Sequence, residues 1–162
     1  MSAPTLAVRP AVPADAPLIL TLIRDLAKYE RLSHEVVATE EQIARDLFGP
    51  RPYAEAIIGT VDGEPAGFAL FFHNYSTFVG APGMYLEDLF VRPAYRKVGL
   101  GKRLISEVGR IAVERGCARY EWSVLDWNEP AIRFYESLGA KMFPDWRRMR
   151  VEGDALRRFE AP

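Results

Sequence analysis

Apolar positions along the chain change period several times, and each change marks an element. Thr5–Arg9 is a short run in the extended pattern. Leu18, Leu22, Ile23 and Leu26 follow at helical spacing, with Asp15 where an N-cap belongs. Thr39 and Gln42, three residues apart, have the form of a capping box and predict a second helix ending near Gly49. Ala54–Val61 and Glu64–His73 are strand-like runs separated by Asp62-Gly63, a pair suited to a two-residue hairpin turn. A loop through Ala81-Pro82-Gly83 leads into a further strand, Met84–Val91. Leu100, Leu104, Val108 and Ile111 line one face of a third helix, which Ile105 and Ala112 widen and Gly116 stops. Tyr120–Leu125 is strand-like. Asn128 is placed to cap a short helix that has Pro130 in its first turn and Gly139 at its end. Trp146–Val151 predicts one or two closing strands before a polar tail. The alternation predicts an α/β fold whose mixed, mainly antiparallel sheet is flanked by helices.

Composition narrows the class without changing the fold. A chain of 162 residues predicts a single domain, 1–162, long enough to bury a sizeable core. The apolar fraction of 49% and charged fraction of 27% are those of an ordinary globular protein. A net charge of −1 offers no basic face for nucleic acid. Cys117, alone, forms no intramolecular disulfide, and no apolar run reaches the length of a membrane span. The first residues lack the basic and apolar regions of a signal peptide, so a cytoplasmic protein is expected.

The chemistry concentrates in residues 85–101. Two adjacent carboxylates, Glu87 and Asp88, sit inside an apolar strand; after a turn containing Pro93 comes Arg96-x-x-Gly99-x-Gly101, at the start of the third helix. A strand, a glycine loop and a helix N-terminus together form an anion site, because free N–H groups and the helix dipole both favour phosphate. The spacing matches neither the dinucleotide fingerprint nor the Walker loop, since Lys102-Arg103 follows Gly101. Successive strand residues face opposite ways, so at most one of Glu87 and Asp88 faces a given site unless a bulge re-aims one. The alternative is that one pairs with an arginine and the other lies at a wet edge. In Trp127–Ala140, Asn128 caps, Ile132 and Leu138 pack, and Tyr135 is by spacing alone a half-buried aromatic. His34 and His73 lack partners at ligand spacing, so no metal is expected. Cys117 has the setting of a structural thiol, and Arg147-Arg148-Met149-Arg150 that of a solvated face.

Taken together, Asp25–Glu30 (DLAKYE), Tyr85–Val91 (YLEDLFV), the Arg96–Gly101 loop and Trp127–Tyr135 resemble the GNAT N-acetyltransferase superfamily, and within it the diamine (spermidine/spermine) and thialysine N-acetyltransferases. The resemblance implies a splayed central strand pair holding acetyl-CoA. The cofactor would lie along backbone groups of Leu89, Phe90 and Val91, and its pyrophosphate on the loop Arg96, Lys97, Val98, Gly99, Leu100, Gly101 and Lys102. Asn128, Glu129, Pro130 and Ala131 would touch it from the other side. It implies a bulge near Glu87, with Glu87 as the base and Asp88 or Glu30 holding the amine. It also raises Tyr135 from a packed aromatic to the acid that protonates CoA thiolate, in a direct ternary-complex transfer. Tyr29, Glu30, Glu87, Asp88, Glu121, Trp122, Ser123 and Trp146 would line the pocket for a small primary amine, and the enzyme would be a homodimer. Where the polyamine enzymes carry an acid and a tryptophan, this chain aligns Ser76 and Phe78, which weakens the case for a long polycation. A basic amino acid or a protein amine is the other acceptor, and a non-catalytic acyl-CoA-binding module the other class.

Overall fold

The structure, a computed structural model, describes residues 2–160. The chain divides into two compact units, Met1–Ser123 and Val124–Pro162.

The first unit contains β1 (Leu6–Pro10), α1 (Ala16–Tyr29), α2 (Glu40–Phe48), β2 (Glu55–Val61), β3 (Glu64–Ser76), β4 (Ala81–Val91), α3 (Leu100–Glu114) and β5 (Arg119–Trp122). The strands form one sheet in the order β1-β2-β3-β4-β5. Neighbours are antiparallel except β4 and β5, which are parallel and need the crossover that α3 supplies. The mixed, mainly antiparallel sheet expected from the strand pattern is therefore present. On one face Ile19, Leu20 and Leu22 of α1 and Ile43 of α2 pack with Ala56, Ile58, Phe68 and Phe90 of the sheet. Helix α3 buries Leu100, Leu104, Ile105, Val108 and Ala112. Each fully buried aliphatic or aromatic side chain of this set contributes about 1.5–3 kcal/mol.

Local signals explain most element ends. Thr39 and Gln42 form the reciprocal box, with bonds of 3.2 and 3.0 Å. Asp62 and Gly63 adopt φ of 50° and 84°, the two positive values that a type I′ hairpin turn requires. At the end of α3 the Cys117 N–H bonds to the Ala112 carbonyl and the Gly116 N–H to that of Val113, with Gly116 at φ 74°. This is a Schellman stop.

Three expectations are corrected. Asp15 precedes α1, but its side chain does not cap that helix. Its carboxylate takes two bonds from Arg9, at 2.7 and 2.9 Å, and the Val12 N–H at 2.8 Å, which holds its pKa down. Ala81-Pro82-Gly83 is strand, not loop; β3 runs on to Ser76 and the turn is residues 77–80. Pro82 is tolerated there because it sits at the start of β4, before the pairing with β5 begins at Gly83, where no N–H donor is required of it. The strand expected over Tyr120–Leu125 is the shorter β5, Arg119–Trp122.

The second unit contains α4 (Glu129–Ser137), α5 (Gly153–Arg157) and a 3-10 turn, Arg158–Glu160. Asn128 caps α4 by accepting the Ala131 N–H at 3.4 Å, and Gly139 at φ 90° ends it. The closing strands expected around Trp146–Val151 are absent: those residues form neither helix nor strand and are exposed. Strand propensity is realised only against a pairing edge, and adjacent Arg147 and Arg148 interrupt the apolar alternation.

Gly67 of β3 lies opposite Val91, and a Cβ there would run into the Phe90 carbonyl oxygen and the Val91 backbone. Gly67→Ala is expected to cost about 1–3 kcal/mol, as overpacked interiors do, read as a lower urea midpoint.

Candidate active site

Pairing between β4 and β5 runs from Gly83 opposite Arg119 to Leu86 opposite Trp122 and stops, while β4 continues to Val91. The central strands therefore splay. The Arg92 N–H bonds to the Ala66 carbonyl at 2.8 Å, across to β3. Because hydrogen-bonding direction alternates along a strand, Phe90 also points its backbone groups at β3, whereas Leu89 and Val91 point theirs to the open edge. Of the three residues expected to meet a pantetheine arm, Leu89 and Val91 turn their backbone groups to the unpaired edge. Phe90 lies in the ladder opposite Phe68.

Beyond β4 a 3-10 turn, Pro93–Tyr95, leads to the loop that starts α3. The Arg96 N–H bonds to the Pro93 carbonyl, and the Arg103 N–H to that of Gly99. Between them, none of the six amides of Lys97, Val98, Gly99, Leu100, Gly101 and Lys102 has an acceptor among the described residues. Lys97 and Gly99 adopt positive φ, 67° and 94°, which turns successive N–H groups inward as an anion-binding concavity. The α3 dipole adds partial positive charge at the same place. These residues fit a pyrophosphate.

The register between β3 and β4 shifts at Leu70/Phe71: Leu70 is opposite Asp88 and Phe71 opposite Leu86, so Glu87 is the additional residue of a bulge. The bulge changes which way the following residues face. Asp88 comes to the side of Tyr85 and Phe90, where α1 packs, while Glu87 itself is exposed. The expected facing conflict between the two carboxylates is resolved in this way. Asp88 is half-buried, and its pKa is pushed up to about 7, first by burial and then by the negative charges of Glu87 and Glu30. Burial also raises the pKa of Glu30, at the end of α1. No side-chain hydrogen bond or ion pair neutralises Glu30, Glu87 or Asp88 among the described residues. Three acids without a counter-cation are suited to receive one.

Two arginines fasten the end of α1 to this strand. Arg92 reaches Asp25 at 3.2 Å and the Pro65 carbonyl at 3.2 Å. Arg96 donates to the Val91 carbonyl at 2.8 Å and lays its guanidinium over the rings of Tyr29, at 4.4 Å, and Phe90, at 5.5 Å. Sequence placed Arg96 in the phosphate loop; its side chain instead joins that loop to Tyr29. No local spacing signals a contact across so many residues.

Other expected residues divide by face. Glu121 pairs in register with Tyr85, and Ser123 exchanges a 2.7 Å hydrogen bond with the Tyr85 hydroxyl, so both lie on the Asp88 side. Trp122 alternates to the other face, edge-on to Tyr120, whose hydroxyl bonds to Ile105 of α3. Ser76 is buried and its hydroxyl accepts the Val79 N–H within the turn, while Phe78 is fully exposed. In the second unit, Glu129, Pro130 and Ala131 form the first turn of α4 behind Asn128. Tyr135 packs its ring beside Phe134 at 5.5 Å, and Trp146 is exposed.

Residues 20–140 match the acetyltransferase (GNAT) family. The chain belongs to that family. It is 38% identical to a thialysine N-epsilon-acetyltransferase of Bos taurus over 161 residues, covering 93% of this chain and 94% of the relative. It is 35% identical to the L-ornithine N5-acetyltransferase of Arabidopsis thaliana over 198 residues, covering 94% and 87%. An integron cassette protein from the mobile metagenome of V. cholerae shares the fold at TM-score 0.80 and 22% identity, covering 97% of this chain and 98% of that one. The protein is an acyltransferase, and GNAT acetyltransferases use acetyl-CoA as co-substrate.

The Asp88 pKa has a consequence for GNAT stability. Between the unfolded carboxyl value of about 3.9 and about 7, the native state holds a proton that the unfolded chain has released. This group therefore makes stability fall as pH rises through that window. Asp88→Asn is expected to raise the melting temperature at pH 8, with a smaller gain at pH 5; equal gains at both would show that Asp88 is ionised throughout.

Proposed function

We propose that the protein transfers the acetyl group of acetyl-CoA to a primary amine of a small molecule, in one ternary complex without an acetyl-enzyme. The observation that carries this is the junction in β4 and its following loop: six acceptor-free amides at Lys97–Lys102, then the open edge at Leu89 and Val91, then three unneutralised carboxylates. Bound there, acetyl-CoA supplies an activated thioester. The Lys97–Lys102 amides hold its pyrophosphate, and the open β4 edge offers backbone groups to its pantetheine arm. An alkyl amine is protonated at neutral pH, with a pKa of about 10.4, and only its neutral form attacks. Glu30, Glu87 and Asp88 attract the ammonium, and one of them removes a proton. A backbone N–H of the open edge stabilises the oxyanion that develops. Tyr135, carried over from the Trp127–Tyr135 motif, returns a proton to the departing thiolate.

Among acceptors, the amine of a basic amino-acid side chain is favoured over a long polyamine. Relatives at 35–38% identity act on ornithine or thialysine, and the end of β3 and the turn after it carry Ser76 and Phe78 rather than an acid. Release of CoA thiol, measured against thialysine, ornithine, lysine, spermidine and putrescine, is expected to be fastest for the amino acids. No release with any of them would refute acetyl transfer to small amines.

Two variants separate the roles. Tyr135→Phe is expected to lower turnover about 10²-fold while acetyl-CoA affinity is retained; unchanged turnover would remove the acid. Gly99→Val, at a φ of 94° that valine resists, is expected to raise the acetyl-CoA KM, and an unaltered KM would remove the cradle.

A further inference from the structure

Glu87 and Asp88 are neighbours in sequence, but the bulge gives them different surroundings. Glu87 is the additional residue and is exposed. Asp88 is turned to the face of Tyr85 and Phe90, opposite apolar Leu70, and it immediately precedes Leu89, whose backbone opens to the cofactor edge. We infer that Asp88, rather than Glu87, takes the proton from the acceptor ammonium, with Glu87 and Glu30 supplying the negative field that holds the cation beside it. This rests on the acetyltransferase assignment and names the base within it.

A base for an alkyl ammonium needs contact with the cation and a basicity raised towards the amine's. Glu87 lies exposed to solvent on the bulge. Asp88 is partly shielded, accepts no side-chain hydrogen bond among the described residues, and is raised to about 7 by burial, Glu87 and Glu30. Every unit of that rise makes proton transfer tenfold less uphill, and a base near the working pH is the most effective.

The groups around Asp88 are consistent with this. Strand β4 contributes Glu87 and Tyr85, the end of α1 contributes Tyr29 and Glu30, β5 contributes Glu121 beside Tyr85, and β3 contributes apolar Leu70. Arg96, whose guanidinium lies over the rings of Tyr29 and Phe90, is engaged with the Val91 carbonyl. In the step itself, one N–H proton of the ammonium passes to an Asp88 carboxylate oxygen. The freed nitrogen pair forms the C–N bond to the acetyl carbon. The C–S bond breaks and its electron pair leaves with sulfur; Tyr135 protonates the thiolate, the second proton lost by the nitrogen returns to that tyrosine, and Asp88 releases the first to solvent.

The test is the pH profile of kcat/KM for the best amine of the panel, with Asp88→Asn, Glu87→Gln and Glu30→Gln, alongside carbon-13 titration of aspartate carboxyls. The ammonium is the form that binds, so the amine's own pKa of about 10.4 lies outside the window. The wild type is expected to show an acidic limb near pH 7, matched by one carboxyl signal that is missing from Asp88→Asn. Asp88→Asn is expected to lose the limb and about 10²-fold in kcat/KM at pH 8, with acetyl-CoA affinity unchanged. Glu87→Gln and Glu30→Gln are expected to keep the limb and move it to lower pH, because each removes a like charge. A limb that persists in Asp88→Asn, one abolished by Glu87→Gln, or an Asp88 carboxyl titrating near 4 would overturn the assignment. If the wild type turns over amines while Asp88→Asn behaves like it, only the base is wrong. If the wild type acetylates none, the enzymatic reading falls as well.

Discussion

Strand β4 is paired along both edges only as far as Leu86, and the placement of the site depends on that limit. A strand inside a sheet ordinarily satisfies its N–H and carbonyl groups on both sides. Here β3 continues to pair while β5 ends at Trp122, so Leu89 and Val91 keep polar backbone groups on an open edge. Such an edge is a template for another extended group. The Val91 carbonyl is occupied by Arg96, which leaves the two N–H groups and the Leu89 carbonyl for a ligand. The six free amides that follow at Lys97–Lys102 extend the same set of unsatisfied donors into an anion site.

The bulge at Glu87 makes this compatible with a carboxylate on the strand. In unbroken alternation Asp88 would share the face of Leu86, against the side that α3 covers. The additional residue moves it, and Phe90 with it, to the face of Tyr85 and α1. The native state then carries an acid that burial and two like charges raise to about 7. That arrangement works against stability above neutral pH. It is retained where the strand meets the open edge, which is where a proton acceptor has use for it.

Sequence was most informative where one local rule decides one local shape. Thr39 with Gln42, Asp62 with Gly63, Gly116 and Asn128 each specify a cap or turn that the structure contains. The glycine loop that starts α3 was legible for the same reason, since glycines and a helix start carry its geometry. What escaped was non-local. Asp15 has the residue type of a cap, but Arg9 and Val12 claim it. Ala81-Pro82-Gly83 has the composition of a loop, but Tyr75, Asn74 and the parallel β5 pair with it. Trp146–Val151 has strand propensity without a pairing edge. The bulge was reached only through family likeness, because nothing in the residues Tyr85–Val91 marks which of them lacks a partner. Edge parity, which separates Phe90 from Leu89 and Val91, follows from the register of β3 and has no signature in β4 itself.

Arg96 shows how the two charge signs are kept apart. A guanidinium beside a carboxylate ordinarily pairs with it and holds its pKa down. Arg96 instead has one donor on the Val91 carbonyl and its plane over Tyr29 and Phe90. A cation over aromatic faces gains about 0.5–2 kcal/mol without a counter-anion, so the charge is accommodated while Asp88 stays unneutralised. Phe90 occupies that position because the bulge turned it there together with Asp88. The same displacement thus aims the acid at the α1 face and sets a ring on which the Arg96 guanidinium rests. Among the described residues no side-chain cation pairs with Asp88, which is the condition for an ammonium to bind there.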